Sequence, residues 1–461
     1  MQDKEIKIMQ MENINTKKFI ILILILLSTL YSLILIIRFI LLSNQLPIKY
    51  WDEFHWISKT YFYDFAFIKK KFQKEIWQSN FAKDHPFVAP FIYGTLIHLK
   101  YNNEIKKEGD FTRFIIKKNF YEAVIYVPEY QKNKINYIPW NYKDTNKEKS
   151  YLLLKYGKKF SETIDIILYL RKINSLFLLF SVFAFSLLFF FITRSLLFSF
   201  LFFVILSSNK FFTEWNIYVH SDIWLNFFNS IFLLSFFNYY KKNFYFDKNV
   251  KKNLSIEPVI SILVLIFLTS IVFNTKISGA INLIFLFVIF CVVCIRKKVS
   301  IFNFLVLTII FISFANLLLE ILNPSLFMGF LTFSDLIIFR TTQQYLQTLT
   351  FNEAFIKNSF HAINIFIEKF FLNKSHNYYN YFFSLPGNIK IFLFIFGIFL
   401  SAKEKFARAL LFFFSLNFAF YIFLIKLNWD RYFLIFIPFL TFFQTYATMI
   451  LTKFLLRYFK N

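Results

Sequence analysis

Apolar residues in this chain come in long runs, and the length of those runs limits the folds open to it. A helix needs about 20 apolar residues to cross the hydrocarbon of a bilayer. The stretches 19–42, 173–192, 277–295, 301–321 and 432–451 approach or exceed that length. Between them lie shorter or more broken apolar stretches at 196–208, 222–237, 258–273, 389–400 and 409–425. A water-soluble chain of 461 residues would gather its 57% of hydrophobic residues into one or two cores, not into repeated runs. The pattern predicts an all-α, multi-pass integral membrane protein with about ten transmembrane helices. The 73 phenylalanines accompany abundant Ile, Lys and Asn and scarce Gly, as AT-rich coding would produce, so they read as lipid-facing packing and not as ligand boxes.

Basic residues orient the spans. Lys17 and Lys18, Arg194, the lysines 241, 242, 248, 251 and 252, the run Arg296-Lys297-Lys298, the stretch from Lys403 to Arg408 and the C-terminal tail all fall on one side when the runs are threaded in order. Lys and Arg concentrate in short cytoplasmic loops, so the net charge of +25 implies orientation, not a nucleic-acid partner. The first run is too long for the core of a signal peptide and lacks a small-residue cleavage site, so it is expected to remain as an anchor. The expected organisation is a cytoplasmic tail 1–18, a transmembrane module 19–321 that includes a first extracytoplasmic loop 43–171, a second such loop 322–388, and C-terminal transmembrane helices 389–461. Within the first loop, 86–99 is apolar but about half the spanning length, an interfacial helix opened by Pro86. The polar stretch 101–159 reads as an extracytoplasmic insertion. Cys291 and Cys294, one turn apart in an apolar run, read as packing residues.

This threading collects polar chemistry on the outer face: Asp52, Glu53, Asp84, His85, Arg171, Glu214, His220, Asp222, Lys276 and Arg431. Each has an ordinary reading. Asp84 and Asp222 can cap the helices they precede, and Arg171, Lys276 and Arg431 can be interfacial anchors. Carboxylates near hydrocarbon are nevertheless costly and usually face a protein cavity. Three carboxylate segments converging on one face is the more particular pattern: Trp51-Asp52-Glu53, Lys83-Asp84-His85-Pro86, and Tyr218-Val219-His220-Ser221-Asp222.

In order along the chain stand an acidic pair after the first span (Asp52-Glu53), an acid-basic-Pro element before a short apolar helix (Asp84-His85-Pro86, with the next proline at Pro90), and Arg171 with Ser175 entering the second span. An Asp then opens the fourth span (Asp222), Lys276-Ile277-Ser278-Gly279 begins the sixth, and Arg431-Tyr432 precedes Pro438 in the last. This series resembles the polyprenyl-phosphate-dependent glycosyltransferases of the GT-C fold, in the branch of protein O-mannosyltransferases and lipid A aminoarabinose transferases. The resemblance covers most of the chain, apart from an insertion at 101–159 longer than the family pattern. It implies a GT-C-type fold in the cytoplasmic (inner) membrane, with the active site on the extracytoplasmic side. It implies a polyprenyl-phosphate-linked sugar donor, a lipid, glycan or protein acceptor, and inverting transfer. Asp84, with His85 beside it, and Asp222 would position sugar or acceptor hydroxyls.

A sugar on a lipid phosphate already carries a leaving group, so the enzyme must deprotonate an acceptor hydroxyl, work a carboxylate can do. Asp52 is the expected general base, with Glu53 orienting or replacing it. Cations stabilise the departing phosphate, and Arg171, Lys276 and Arg431 are the candidates. No cofactor is expected. A divalent ion near His55, His85 and His220 is the less favoured option, since the first loop lacks an acid-x-acid element. Two rival readings are a surface-polysaccharide ligase or polymerase using Arg340 and His361 in the late loop, and a transporter or flippase, which would put ionisable residues at mid-membrane. The orientation is checked by cysteine labelling in intact cells: Asn133→Cys should react with an impermeant thiol reagent, and Asn249→Cys only with a permeant one.

Overall fold

The structure is a computed structural model and describes residues 2–79, 82–83, 86–108, 158–244, 256–296, 298–350, 354–372 and 385–459. Asp84, His85, most of the 101–159 insertion and the basic loop between the fourth and fifth runs lie outside the described residues. Among the described residues the regular elements are helical, in the order α1 (Gln2–Gln45), α2 (Tyr50–Lys59), α3 (Val88–Glu108), α4 (Lys158–Thr193), α5 (Leu196–Ser208), α6 (Lys210–Ile217), α7 (Ser221–Phe244), α8 (Ile256–Thr275), α9 (Ala280–Arg296), α10 (Ile301–Ile321), α11 (Phe333–Thr350), α12 (Ser359–Ile367), α13 (Gly387–Ser401), α14 (Lys405–Leu424) and α15 (Ile437–Tyr458).

A helix lies on each of the ten apolar stretches. Six helical segments are long and apolar enough to cross a membrane: Leu22–Gln45, Ser161–Thr193, Ile277–Arg296, Ile301–Ile321, Lys405–Leu424 and Asp430–Tyr458. The chain is therefore a multi-pass membrane protein by the length and apolarity of its helices. The first of these segments is only 11% buried and the last 78% buried, so α1 is peripheral and α15 central. Exposed Leu22, Leu26, Leu30, Leu33 and Ile37 give α1 a lipid-facing surface.

Where sequence and structure differ, local chemistry explains it. The more polar stretch 209–221, between two apolar runs, reads in sequence as an outer loop, yet α6 occupies most of it, bent 62° from α5. Asn209 accepts the Phe212 N–H and starts the new helix, and Phe211, Phe212 and Ile217 are buried, so this segment packs inward. The described part of the first loop also holds regular structure. It contains α2, then a helical turn through Asp64–Ile68, where His98 Nε2 on α3 lies 2.5 Å from Asp64 Oδ1. The short apolar 86–99 stretch is helical but continues to Glu108, and α4 begins at Lys158, well before its apolar part.

Close backbone approach joins the late helices. A Cβ on Gly397 of α13 would stand 2.0 Å from the Phe443 carbonyl oxygen of α15, so only glycine permits this crossing. Gly397→Ala should therefore force the two helices apart and lower the melting temperature in detergent, at a cost of about 1–3 kcal/mol. An unchanged melting temperature would show that the helices cross elsewhere.

Candidate active site

The site begins with an ion pair inside the protein. Asp52 and Glu53 are successive residues in the first turn of α2, and successive helical residues point about 100° apart. Glu53 consequently turns inward and is completely buried, while the Asp52 side chain is 29% exposed. Glu53 meets Arg171 of α4 side-on: Arg171 Nε donates to Oε1 at 2.7 Å and Nη2 to Oε2 at 2.5 Å.

Every remaining N–H of that guanidinium is also used. Nη1 donates to the carbonyls of Ser43 (3.2 Å) and Leu46 (2.7 Å), and Nη2 to that of Pro47 (3.0 Å). These carbonyls end α1 and lead into α2, so one arginine gathers the exit of the first span. Glu53 in turn accepts the Lys49 N–H at 2.9 Å, capping α2, and the Val219 N–H at 3.1 Å. With five donors satisfied inside the protein, Arg171 has none left for a lipid phosphate. The expectations that Arg171 grips phosphate and that Glu53 substitutes as base give way to a shared architectural role.

The Val219 contact matters because it fixes the turn between α6 and α7. Asn174 of α4 donates Nδ2–H to the carbonyls of Ile217 (3.2 Å) and Tyr218 (2.9 Å), and the Tyr93 hydroxyl of α3 donates to the His220 carbonyl at 2.8 Å. Three elements thus hold the backbone that presents His220 and Asp222. Both side chains are 2% exposed.

From there a polar chain runs to Asp52. Lys276 Nζ donates to Asp222 Oδ1 at 2.5 Å, and His220 Nδ1 lies 2.8 Å from Asp222 Oδ2. Arg431 Nη1 lies 3.0 Å from His220 Nε2 and donates to Asp52 Oδ1 at 3.2 Å. Asp52, His220, Asp222, Lys276 and Arg431 come from four segments separated by up to 379 positions, and all stand at helix ends or in the adjoining turns. The two cations sit at the partly open rim, each 15% exposed.

Each cation has its own support. Lys276 ends α8 where the chain reverses, and a Cβ on Gly279 would meet Val272 backbone atoms at 2.6 Å, so the reversal requires glycine there. Arg431 stands 4.6 Å over the Trp429 ring, and Tyr432 lies under Lys276 at 5.5 Å, cation–π contacts that set both directions. The second loop also reaches this turn: Lys369 Nζ donates to Asp430 Oδ1 at 2.5 Å, and the strand-like bridge Phe355–Leu427 fastens the preceding residues.

The structure thus brings Asp52, Asp222, Lys276 and Arg431 into one cluster and places Arg171 and Glu53 beneath it; Asp84 and His85 lie outside the described residues. His220 is the link that spacing alone left unassigned, since only folding sets Arg431 beside it. Arg340 and His361 make local contacts in the second loop, Arg340 Nη1 with Gln343 Oε1 at 2.7 Å and His361 Nδ1 with the Lys357 N–H at 3.2 Å. Among the described residues no three His, Cys, Asp or Glu side chains are grouped to hold a metal ion. Compared with family models, curated proteins and solved structures, the chain gives no match.

Removing half of a fully buried ion pair strands the other charge, at a cost of about 3–5 kcal/mol. Arg171→Met should accordingly cause a large fall in melting temperature. Glu53→Met/Arg171→Met together should be less unstable than the sum of the singles, since no charge is then left unpaired. The double variant should stay below the parent, because three carbonyls and two N–H groups lose their partners. A double variant as unstable as the sum of the singles would contradict the pairing.

Proposed function

We propose that this chain is a membrane glycosyltransferase of the GT-C type that moves a sugar from a polyprenyl-phosphate donor to a hydroxyl acceptor at the outer face of the cytoplasmic membrane. On this reading all ten apolar helices belong to the membrane domain, and no cofactor is needed. One observation carries it: a partly exposed carboxylate, Asp52, stands beside two rim cations, Arg431 and Lys276, in a single cluster assembled from helix ends. Such a transfer needs a base for the incoming hydroxyl and cations for the outgoing phosphate, side by side at the lipid surface.

The steps follow from the charges. The acceptor hydroxyl gives its proton to Asp52 as its oxygen attacks the anomeric carbon. The bond from that carbon to the phosphate oxygen breaks on the opposite face, which inverts the configuration. The phosphate begins as a monoanionic diester and leaves as a monoester with a second charge. Protonation of Asp52 meanwhile removes the partner of Arg431, freeing that guanidinium for the oxygen gaining charge. Lys276 supplies a second cation, steadied by Asp222. The base and the cation that serves the leaving phosphate are thus coupled through one hydrogen bond, Arg431 Nη1 to Asp52 Oδ1.

Membranes carrying the protein and supplied with radiolabelled polyprenyl-phosphate sugars should yield a labelled lipid, glycan or protein. Asp52→Asn keeps the shape but loses the base, and should reduce transfer by about a hundred- to ten-thousand-fold. Undiminished transfer by this variant, or transfer lost with Arg340→Ala and not with Asp52→Asn, would refute the assignment.

A further inference from the structure

His220 has no role in the transfer as written, yet it occupies the middle of the polar chain. Around it stand Asp222 and Lys276 from α7 and the end of α8, Arg431 from the turn before α15, and Asp52 of α2. The Trp56 ring lies 5.0 Å from its own. The Tyr93 hydroxyl holds its backbone on both sides, donating to its carbonyl at 2.8 Å and accepting from its N–H at 3.2 Å. The imidazole therefore has little room to turn, and its protonation state decides what it does for its neighbours.

A guanidinium has only donors, so the 3.0 Å contact between Arg431 Nη1 and His220 Nε2 is favourable only if Nε2 carries a lone pair. The proton of a neutral ring must then reside on Nδ1, 2.8 Å from the Asp222 carboxylate. The Asp222 N–H also approaches that nitrogen, but at 3.3 Å it is the longest of these three contacts on the ring's two nitrogens and yields to the carboxylate and the guanidinium. We infer that His220 is a positioning residue: neutral, with its proton on Nδ1, it holds Arg431 against Asp52, and a second proton on Nε2 would repel Arg431 and disarm the site in acid. The consequence for catalysis rests on the glycosyltransferase reading, whereas the proton arrangement does not.

Burial opposes the charged form of His220 and, despite the Asp222 carboxylate beside it, holds its pKa below the ordinary histidine value. An unfolded chain takes up that proton at a higher pH than the native state does. The neutral ring thus contributes stability above the ordinary histidine pKa, and that contribution is lost as pH falls through the native value.

The direct test is nitrogen-15 NMR of the full-length, detergent-solubilised protein with labelled histidine, the His220 signal being assigned by its loss in His220→Gln. The expected spectrum at neutral pH is that of the Nδ1–H tautomer, with a midpoint below that of free histidine. Arg431→Met should raise that midpoint by removing a nearby cation. An Nε2–H tautomer, or an imidazolium at neutral pH, would overturn the proposal whatever the activity.

The second arm reads kcat. Leucine at 220 cannot accept from Arg431, and His220→Leu should lower kcat by at least about tenfold. His220→Gln offers a carbonyl that accepts without titrating, so it should recover most of that loss and remove the acid limb assigned to histidine. Full activity in His220→Leu overturns the positioning role. Failure of the wild-type protein to transfer any lipid-linked sugar would instead sink the functional reading, with the NMR result still deciding the proton arrangement.

Discussion

The buried pair between Glu53 and Arg171 is the interaction on which the arrangement of this protein turns. A carboxylate and a guanidinium removed from water are costly to bury, and such a pair is rarely a net source of stability. Its value here is geometric. Five N–H donors in a rigid fork fix three carbonyls at the exit of α1 and both oxygens of Glu53. Glu53 then fixes the start of α2 and the turn at Val219. The neighbours of those anchored atoms, Asp52 on one side and His220 on the other, are the groups that meet across Arg431.

Charge is distributed through the cluster so that no group is buried alone. Asp222, almost fully enclosed, has Lys276 and the His220 ring on its two oxygens. Arg431, nearer the surface, divides one nitrogen between Asp52 and His220 and lays its face on Trp429. With His220 neutral, the two carboxylates and two cations sum to zero, a balanced resting state for groups at the edge of a low-dielectric region. On the proposed function, the proton gained by Asp52 matches the second charge gained by the departing phosphate, so the step moves charge through the cluster without changing its total. The aromatic residues beside the cations limit their motion without adding charge.

Much of this was readable from residue order. Runs of apolar residues predicted helices where the structure has them, and basic flanks placed Asp52, Asp222, Lys276 and Arg431 at span ends on one face. Less legible was the division of labour between adjacent residues. Asp52 and Glu53 look equivalent in sequence, and only the 100° step of α2 together with Arg171 sends one inward. Arg171 itself looked like a phosphate ligand, because nothing in linear order reveals that Ser43, Leu46 and Pro47 aim their carbonyls at it. His220 was visible in its motif but could not be paired with Arg431, 211 positions away. The helix α6 was missed because its signal is a capping asparagine and three inward apolar residues within a polar stretch, too brief for periodicity to detect.

An experimental structure of the full chain in a lipid nanodisc, solved with a non-hydrolysable polyprenyl-phosphate sugar analogue, would show which side chains meet the phosphate. The phosphate should lie on Lys276 and Arg431, with the anomeric carbon facing Asp52. Arg171 should remain enclosed with Glu53 and not touch the ligand. A phosphate bound away from both rim cations, or Asp52 turned from the sugar with Arg171 on the phosphate, would contradict this arrangement of the site.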